Sequence, residues 1–577
     1  MSQALTISQR DVPEGINLKL NVHPVIERLL LSRGVKNDAE CSLELSSLLD
    51  PQLMLNIDAA VHLLSHSLQQ DERVLVIGDF DADGATSTAL LILCLRAFGF
   101  TNLDYLVPNR FEFGYGLTPE IVELAKLRQP ALIITVDNGI ASFEGVRKAK
   151  SLGIKVLITD HHLPAQTLPD ADCILNPNQA DCAFPSKSLA GVGVVYYLLL
   201  ALRSQLRESN WFEGSDRQEP NMLQFLDLVA LGTVADVVPL DANNRCLVKH
   251  GLASIRAGRA RPGIMAILAV ANKDCRTLQS ADLGFVLGPR LNAAGRLDDM
   301  SLGIECLMSS SQQDALELAR QLNDLNQDRK SIEESMQADA LVILQELDED
   351  VQSQAGICLY NEHWHSGVVG ILASRLKDRF HKPCIIFAAS AENDHEIKGS
   401  ARSIPGLHIR DLLDRIASRH PDLLSRFGGH AMAAGLSLAR ADFERFHLEF
   451  IEELESTLDD SMLKRVLLTD GALPADCLNL DFAELLVSAG PWGQHFPEPL
   501  FCGSFECVQQ RTLANKHLKL LLRPEGASEL IDAIAFNVDE ALLSVQFTQL
   551  ELAYRLQLNE YRGQRSAQLV IEYFISC

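Results

Sequence analysis

The feature that most constrains this chain is a strand–acid–helix pattern repeated across residues 74–177. An apolar run, VLVIGDF (Val74–Phe80), ends in acids and leads into TSTALLILCLRAFG, a helical stretch closed by Gly99. LDYLVPNR (Leu103–Arg110) precedes a helix opening at Thr118-Pro119, and ALIITVDNG (Ala131–Gly139) precedes SFEGVRKAKSLG. KVLITDHH (Lys155–His162) closes the series. Strand ends recur at roughly 25-residue spacing, as in successive βαβ units. Runs that are apolar throughout belong to strands covered on both faces, so the pattern predicts a mostly parallel sheet in an α/β domain.

With 577 residues, 47% hydrophobic and 22% charged, the chain can bury several cores, and three or four domains are expected at roughly 100–200 residues each. A mostly apolar helix is predicted over Asn221–Pro239, carrying Asp236 near its end, where Pro239 stops it. From Ser310 to about Asp348, Leu318, Leu322, Leu325, Ile332, Met336, Ile343 and Leu347 recur at helical spacing among dense charge. That stretch predicts one long, solvated connector helix of roughly 60 Å. A second α/β segment follows, with strands at GICLY (Gly356–Tyr360) and CIIFAA, a helix over Ser366–Phe380, then IKGSARSI and FGGHAMAAG (Phe427–Gly435). Beyond Leu467 five short alternating runs without long helices predict a small OB-like β-barrel. The expected organisation is a lead-in over 1–60, a catalytic α/β domain over 61–309, the connector over 310–350, a second α/β domain over 351–460 and the barrel over 461–577.

The 51 Lys+Arg against 76 Asp+Glu leave a formal charge of −25, which argues against a protein that coats nucleic acid by bulk charge. Apolar stretches such as Ala89–Leu95 fall far short of the ~18 residues of a membrane helix, and the N-terminus predicts no secretory signal. Thirteen cysteines without a CxxC pair predict neither a disulfide scaffold nor a zinc ribbon and fit a reducing cytoplasm.

The chemistry lies in the acids. Asp79, Asp81 and Asp83 stand at i, i+2 and i+4 in GDFDADG, read as a strand passing into a Gly-containing loop, with no Lys or Arg between Arg73 and Arg96. Carboxylates this close repel unless a cation or a proton relieves them. Alone they could be a turn or a calcium loop, although no Glu stands where an EF-hand requires it. Asp137 ends another strand and Asp160-His161-His162 a third, and ligands of open parallel sheets bind at the carboxyl ends of strands. Singly, Asp137-Asn138-Gly139 is an ordinary turn and paired histidines are ordinary surface residues. Three strand ends agreeing on acids point to a metal site. Oxygen-rich ligation with some imidazole suits Mn²⁺ or Mg²⁺. Two ions would balance the carboxylates and activate water for in-line attack on phosphorus, which implies phosphoester or phosphoanhydride hydrolysis.

GDFDADG, TVDNG and TDHH resemble the motifs of the DHH phosphoesterase superfamily. LVPNRFEFGYG, VALGTVADVVPL and GPRLNAAGRLDD, in that order, narrow the resemblance to its RecJ family of single-stranded-DNA-specific exonucleases. IKGSARSI and FGGHAMAAG resemble the DHH-associated domain, so the likeness runs along nearly the whole chain. The family's first motif usually carries Tyr where this chain has Phe80, and a ring is retained. The resemblance implies 5′-to-3′ degradation of single-stranded DNA to 5′-mononucleotides in repair and recombination, using two Mn²⁺ or Mg²⁺ ions. It implies Asp79, Asp81, Asp83, Asp137, His161 and Asp236 as metal ligands, with Asp137 bridging. His162 would act at the scissile phosphate, with Asp160 as the second catalytic residue, orienting His161. Asp236 enters on the resemblance alone; otherwise it reads as a helix-terminal surface acid.

Arg110, Arg290 and Arg296, read as lying in Gly/Asn/Pro-rich loops, together with Asn292, are candidate contacts to the 5′ phosphate or backbone, since guanidinium forks match phosphate oxygens. Ser400, Arg402 and His430 would line the strand path in the second domain, although tight packing is the plainer account of the surrounding Gly/Ala run. Trp364 between His363 and His365 could stack a base or simply fill a core. Lys516, Lys519 and Arg523 near Phe505 and Phe536 could form a local groove on the barrel. Against this, Arg465–Cys577 holds 8 Lys+Arg and 14 Asp+Glu. A strand with a free 5′ end is the expected partner, with a helicase and a single-strand-binding protein as candidates; nothing calls for more than a monomer. The alternatives are a phosphodiesterase for short oligonucleotides or cyclic dinucleotides, a pyrophosphatase, and a non-catalytic replication scaffold.

Overall fold

The computed structural model describes residues 5–16, 18–19, 22–108, 116–213, 217–346, 354–390, 393, 395–561 and 563–576. In the first α/β unit five parallel strands lie in the order Leu103–Leu106, Val74–Ile77, Leu132–Val136, Lys155–Thr159, Cys173–Leu175. The last strand was not among the expected runs. Successive strand residues face opposite sides of the sheet. Val74, Val76, Leu132 and Ile134 accordingly enter the main core, while Leu75, Ile77 and Ile133 enter a separate core with Ile121 and Val146. Both faces are thus covered, as continuous apolar runs require.

The helix after the first strand spans Ala82–Phe98, so Asp83 sits in its first turn rather than in a loop. Asp81 explains the earlier start: its carboxylate caps the helix, accepting from the Asp83 and Gly84 N–H groups. Helix Leu226–Ala235 ends with Asp236 as its C-cap, short of Pro239.

The long helix runs over Gln312–Glu346, on the order of 50 Å. It is not the solvated rod expected from its charge density. Ala315, Ala319 and Leu322 belong to the main core, and Met336 and Ala340 to a core of the second unit beside Trp364 and Leu372. Between them the buried Arg329 pairs with Glu333, which also accepts from Arg375 at 2.8 Å. The charged residues therefore face both solvent and a buried junction.

The second unit is a mixed sheet in the order Arg426–Gly429, Ala433–Ala439, Glu396–Arg402, Cys384–Ala389, Ile357–Tyr360, parallel only in its last pair. The C-terminal strands Phe501–Leu513, His517–Pro524, Ile531–Ala535, Gln549–Tyr561 and Gln564–Ser576 close into a barrel. The N-terminal segment is bound into this end of the molecule. Thr6–Gln9 pairs in parallel with Val466–Thr469, and buried Arg33 makes a bidentate pair with Asp470 at 2.8 and 3.0 Å. Helix Ile57–Gln69 crosses position 60, so the lead-in continues into the first unit without a break.

Candidate metal centre

From strand Val74–Ile77 the chain runs outward to Leu103–Leu106 and returns on the opposite side as Leu132–Val136. The connections diverge there, opening a crevice at the carboxyl ends of the two strands. Asp79, Asp81 and Asp83 leave the first of them. Asp137 directly follows the second, in a left-handed conformation (φ 62°) that turns the chain back over the sheet. Asp160, His161 and His162 leave the neighbouring strand.

These groups meet. One ligand atom each from Asp79, Asp81 and Asp137 lie within 4.8 Å of one another; so do those of Asp83, His161 and Asp236, and those of Asp137, His161 and His162. His161 Nε2 is 3.1 Å from Asp137 Oδ1 and 3.4 Å from Asp236 Oδ2. Both His161 Nε2 and Asp236 Oδ2 are buried without a hydrogen bond, an expensive state for polar atoms unless a ligand completes it.

The electrostatics agree. Burial, then neighbouring Asp81, pushes Asp83 up to about 7, against the pull of the Gly191 and Val192 N–H groups. Asp137 and Asp236 are driven well above the usual carboxylate range by burial and by the other acids. Burial, then the charge of His162, holds His161 down to about 4, leaving a neutral imidazole with a lone pair to give. Acids that cannot all ionise together, beside a neutral imidazole, fit divalent cations.

Asp160 serves a different ring from the one expected. Its Oδ1 lies 2.7 Å from His162 Nδ1 and accepts from the backbone N–H groups of His161 and His162 at 2.7 and 3.0 Å; Oδ2 accepts from Ile140 N at 2.9 Å. It orients His162, not the His161 ring. Burial opposes the charge on both partners, but their pairing prevails: Asp160 stays below the ordinary carboxylate range and His162 rises to about 9.

The expected substrate residues divide. Arg290 and Arg296 lie on a helix, Gly288–Leu297, not in loops. Gly295 serves close packing there, since a Cβ would fall 1.8 Å from Phe80 O. Arg290 Nη1 donates to Val286 O at 2.6 Å and its Nε to Asn323 at 3.1 Å. Arg296 Nη1 donates to Gly367 O at 3.1 Å, joining the two α/β units. Asn292 Oδ1 accepts from Ala82 N at 2.7 Å and so holds the segment that carries the acids. Arg402 Nη1 donates to Ser400 Oγ at 3.2 Å on strand Glu396–Arg402. His430, in the turn after Arg426–Gly429, faces His162 across the units with ring centroids 6.5 Å apart. Arg110 lies outside the described residues. Trp364 and Phe505 are buried in cores, and Lys519 and Arg523 pair with Asp532 and Glu506, so these two cations are locally neutralised.

Several supporting residues gave little sign of themselves in the sequence. Asp83 accepts from Gly191 N at 2.6 Å and Val192 N at 3.0 Å, at the positive end of helix Gly191–Glu208. A Cβ at Gly191 would lie 2.7 Å from that of Asp137, so only glycine admits both acids. Asn176 and Asn178 donate to the carbonyls of His162 and His161 at 2.9 and 2.6 Å. The Asn-Pro-Asn that follows the fifth strand was the available signal for this pair.

A buried, acid-rich centre at the switch point of a doubly covered parallel sheet, followed by a second α/β unit, defines a DHH-class phosphoesterase. Residues 73–233 match the DHH family, N-terminal domain, residues 353–458 the DHHA1 domain and residues 469–573 the RecJ OB domain. The chain is 52% identical over 574 residues to the single-stranded-DNA-specific exonuclease RecJ of Salmonella typhimurium and 51% identical to that of Escherichia coli, covering 99% of each chain in both pairs. The crystal structure of RecJ in complex with Mn²⁺ from Thermus thermophilus superposes with a TM-score of 0.80 at 27% identity, covering 99% of this chain and 79% of that one. The chain belongs to the RecJ family.

Proposed function

We propose that the protein is a metal-dependent exonuclease that removes nucleotides from the 5′ end of single-stranded DNA, releasing 5′-mononucleotides, in DNA repair and recombination. The observation that carries this reading is the meeting of acids from two strand ends with His161 from a third and with Asp236 in one centre.

Asp79, Asp81, Asp83, Asp137, His161 and Asp236 would hold two Mn²⁺ or Mg²⁺ ions, which when bound activate water and offset charge on the phosphoryl oxygens. His162, raised to about 9 and fixed by Asp160, would donate toward a phosphate oxygen as its charge grows. Asp83 is held in place by the Gly191 and Val192 N–H groups and the Asp81 segment by Asn292. Arg290, Arg296, Ser400, Arg402 and His430 would grip the strand's phosphates in the crevice between the α/β units, with Arg110 a further candidate. A passage as narrow as one strand would exclude duplex sterically.

The strand would be supplied by a helicase and a single-strand-binding protein. Among the described residues no helix is long and apolar enough to cross a membrane, and every cysteine is a free thiol, which favours a reducing cytoplasm. The protein would act as a monomer.

The test compares 5′- and 3′-labelled single strands, a blunt duplex and a dinucleotide, with Mn²⁺, for the wild type and Asp81→Asn. Asn keeps the helix cap and removes the charge. Mononucleotides should appear first from the 5′ end of the single strand, and the variant should be inactive. Equal cutting of duplex, initial loss of the 3′ label, or an active variant would overturn the reading.

A further inference from the structure

Asp236 differs from the other acids of the centre in what carries it. Those leave the ends of sheet strands, whereas Asp236 is the C-cap of helix Leu226–Ala235 and opens the loop to helix Ala242–Arg256. The next residue, Val237, holds φ 61°, a strained conformation for a β-branched side chain, and at 60% exposure its own packing does not hold it there. Such strain persists only where surrounding contacts over-determine the backbone.

Those contacts come from two sides. Within the first α/β unit, Asn244 Nδ2 donates to Pro239 O at 2.9 Å and to Ser188 O at 2.6 Å. From the barrel domain, Gln494 O accepts from Leu240 N at 2.9 Å. Gln494 and His495 form the tip of a closed turn, in which Gly493 N donates to Phe496 O at 2.8 Å and Phe496 N to Gly493 O at 3.1 Å. The turn is itself anchored. Trp492 O accepts from Ser280 Oγ at 2.5 Å, and the Trp492 ring stacks on Phe496 with centroids 5.2 Å apart. The Arg245 guanidinium lies 4.2 Å over Phe496, and Arg33 Nε donates to Pro497 O at 2.7 Å while the same side chain pairs with Asp470. Gly493 is seated so closely on the buried Leu240 that a Cβ would fall 2.6 Å from its Cδ1. All of the turn lies within the stretch that matches the RecJ OB domain.

We propose that the turn Trp492–Phe496 is a positioning element that holds Asp236 at the metal centre from the barrel domain, by fixing the far end of the Asp236–Leu240 loop. The inference rests on the reading of Asp236 as a metal ligand and adds to it a task for the barrel domain separate from any contact with DNA. Asp83 and His161, which meet Asp236 at one group of candidate ligands, are held by the first unit itself, Asp83 by the Gly191 and Val192 N–H groups. The turn therefore governs one ligand and leaves the Asp79–Asp81–Asp137 group alone.

The test is Mn²⁺ binding to the full chain, by calorimetry and by the spin resonance of the free ion, with amide hydrogen exchange of the metal-free protein. Asp236→Ala first marks the bound ion that depends on that ligand. Gly493→Ala should weaken the same ion roughly 10- to 100-fold, the usual cost of disturbing a group that orients a metal ligand. It should leave the other ion within about twofold and speed exchange at Leu240, whose hydrogen bond to the turn is loosened. The double variant Gly493→Ala/Leu240→Val lacks the atom that meets the added methyl and should recover most of the affinity. Trp492→Ala should act as Gly493→Ala does, while Trp492→Phe, which keeps a ring on Phe496, should bind as the wild type. Leu520→Val, the loss of one buried methylene in the barrel core, should lower the melting temperature and change neither ion. Equal weakening of both ions, weakening that merely follows melting temperature across all variants, or unchanged binding in Gly493→Ala and Trp492→Ala would overturn the proposal. If Asp236→Ala releases one ion and the turn variants release none, the turn alone falls. If Asp236→Ala leaves both ions bound as in the wild type, the ligand reading falls first.

Discussion

His162 and His430 face each other across the two α/β units, their rings 16° from parallel and their centroids 6.5 Å apart. His162 is raised to about 9 by Asp160 and by Asp79 and Asp81, against its burial. His430 is lowered by partial burial and by the charge of His162. The surroundings thus favour charge on His162 and a neutral ring on His430, each supplied by a different domain.

If both rings act on one phosphate, their effects should not add. His162→Ala is expected to lower kcat by about 10²–10³-fold, as loss of a charge-stabilising donor does, while leaving Mn²⁺ affinity within a few-fold. A double-mutant cycle with His430→Ala should show a coupling on the order of 0.5–3 kcal/mol. Loss of a Mn²⁺ site in His162→Ala, read by calorimetry, would make that residue a ligand instead.

Asp83, Asp137 and Asp236 are all raised by burial and mutual repulsion, Asp83 to about 7. A carboxyl raised in the folded state stabilises the protein below its unfolded pKa, and that contribution is lost as pH climbs through the folded value. His162, raised to about 9, acts in the same direction, while His161, lowered to about 4, matters only on the acid side. Metal-free protein should therefore melt at a lower temperature at pH 9 than at pH 7, and Mn²⁺ should shrink the difference. Because the cations displace protons, Mn²⁺ binding should release protons and tighten as pH rises from 6 to 8, which calorimetry in buffers of different ionisation enthalpy would measure.

Gly191→Ala places a methyl 2.7 Å from Asp137 Cβ, at the contact where two acids approach. We expect Mn²⁺ affinity to fall roughly 10- to 100-fold, the usual cost of disturbing a residue that positions a metal ligand. Wild-type affinity in this variant, by calorimetry, would show that the acids can separate at no cost.

Glu333→Ala leaves the buried Arg329 guanidinium without its carboxylate at the junction of the long helix with both units. The expected loss is about 3 kcal/mol in denaturant unfolding. If the pair also fixes the second unit over the first, kcat/KM on single strands should fall while Mn²⁺ affinity holds.

Much of the fold was legible because it is local. Two-sided strands, their spacing and the acids at their ends are written in consecutive residues, and so are the alternating runs of the barrel. Composition misled where it stood for conformation. The glycines of GPRLNAAGRL suggested a loop, yet Gly295 admits the Phe80 carbonyl to a helix surface. The charges of Gln312–Glu346 suggested a solvated rod, yet three of its residues enter one core and two another.

The sequence by itself determined that acids end three parallel strands, because side-chain period and helix caps act over a few residues. Only the tertiary structure decided that Asp236 reaches His161, that Asn292 holds Ala82, and that His430 meets His162. Those contacts join residues far apart in the chain, where helix packing rather than any local pattern sets the distance.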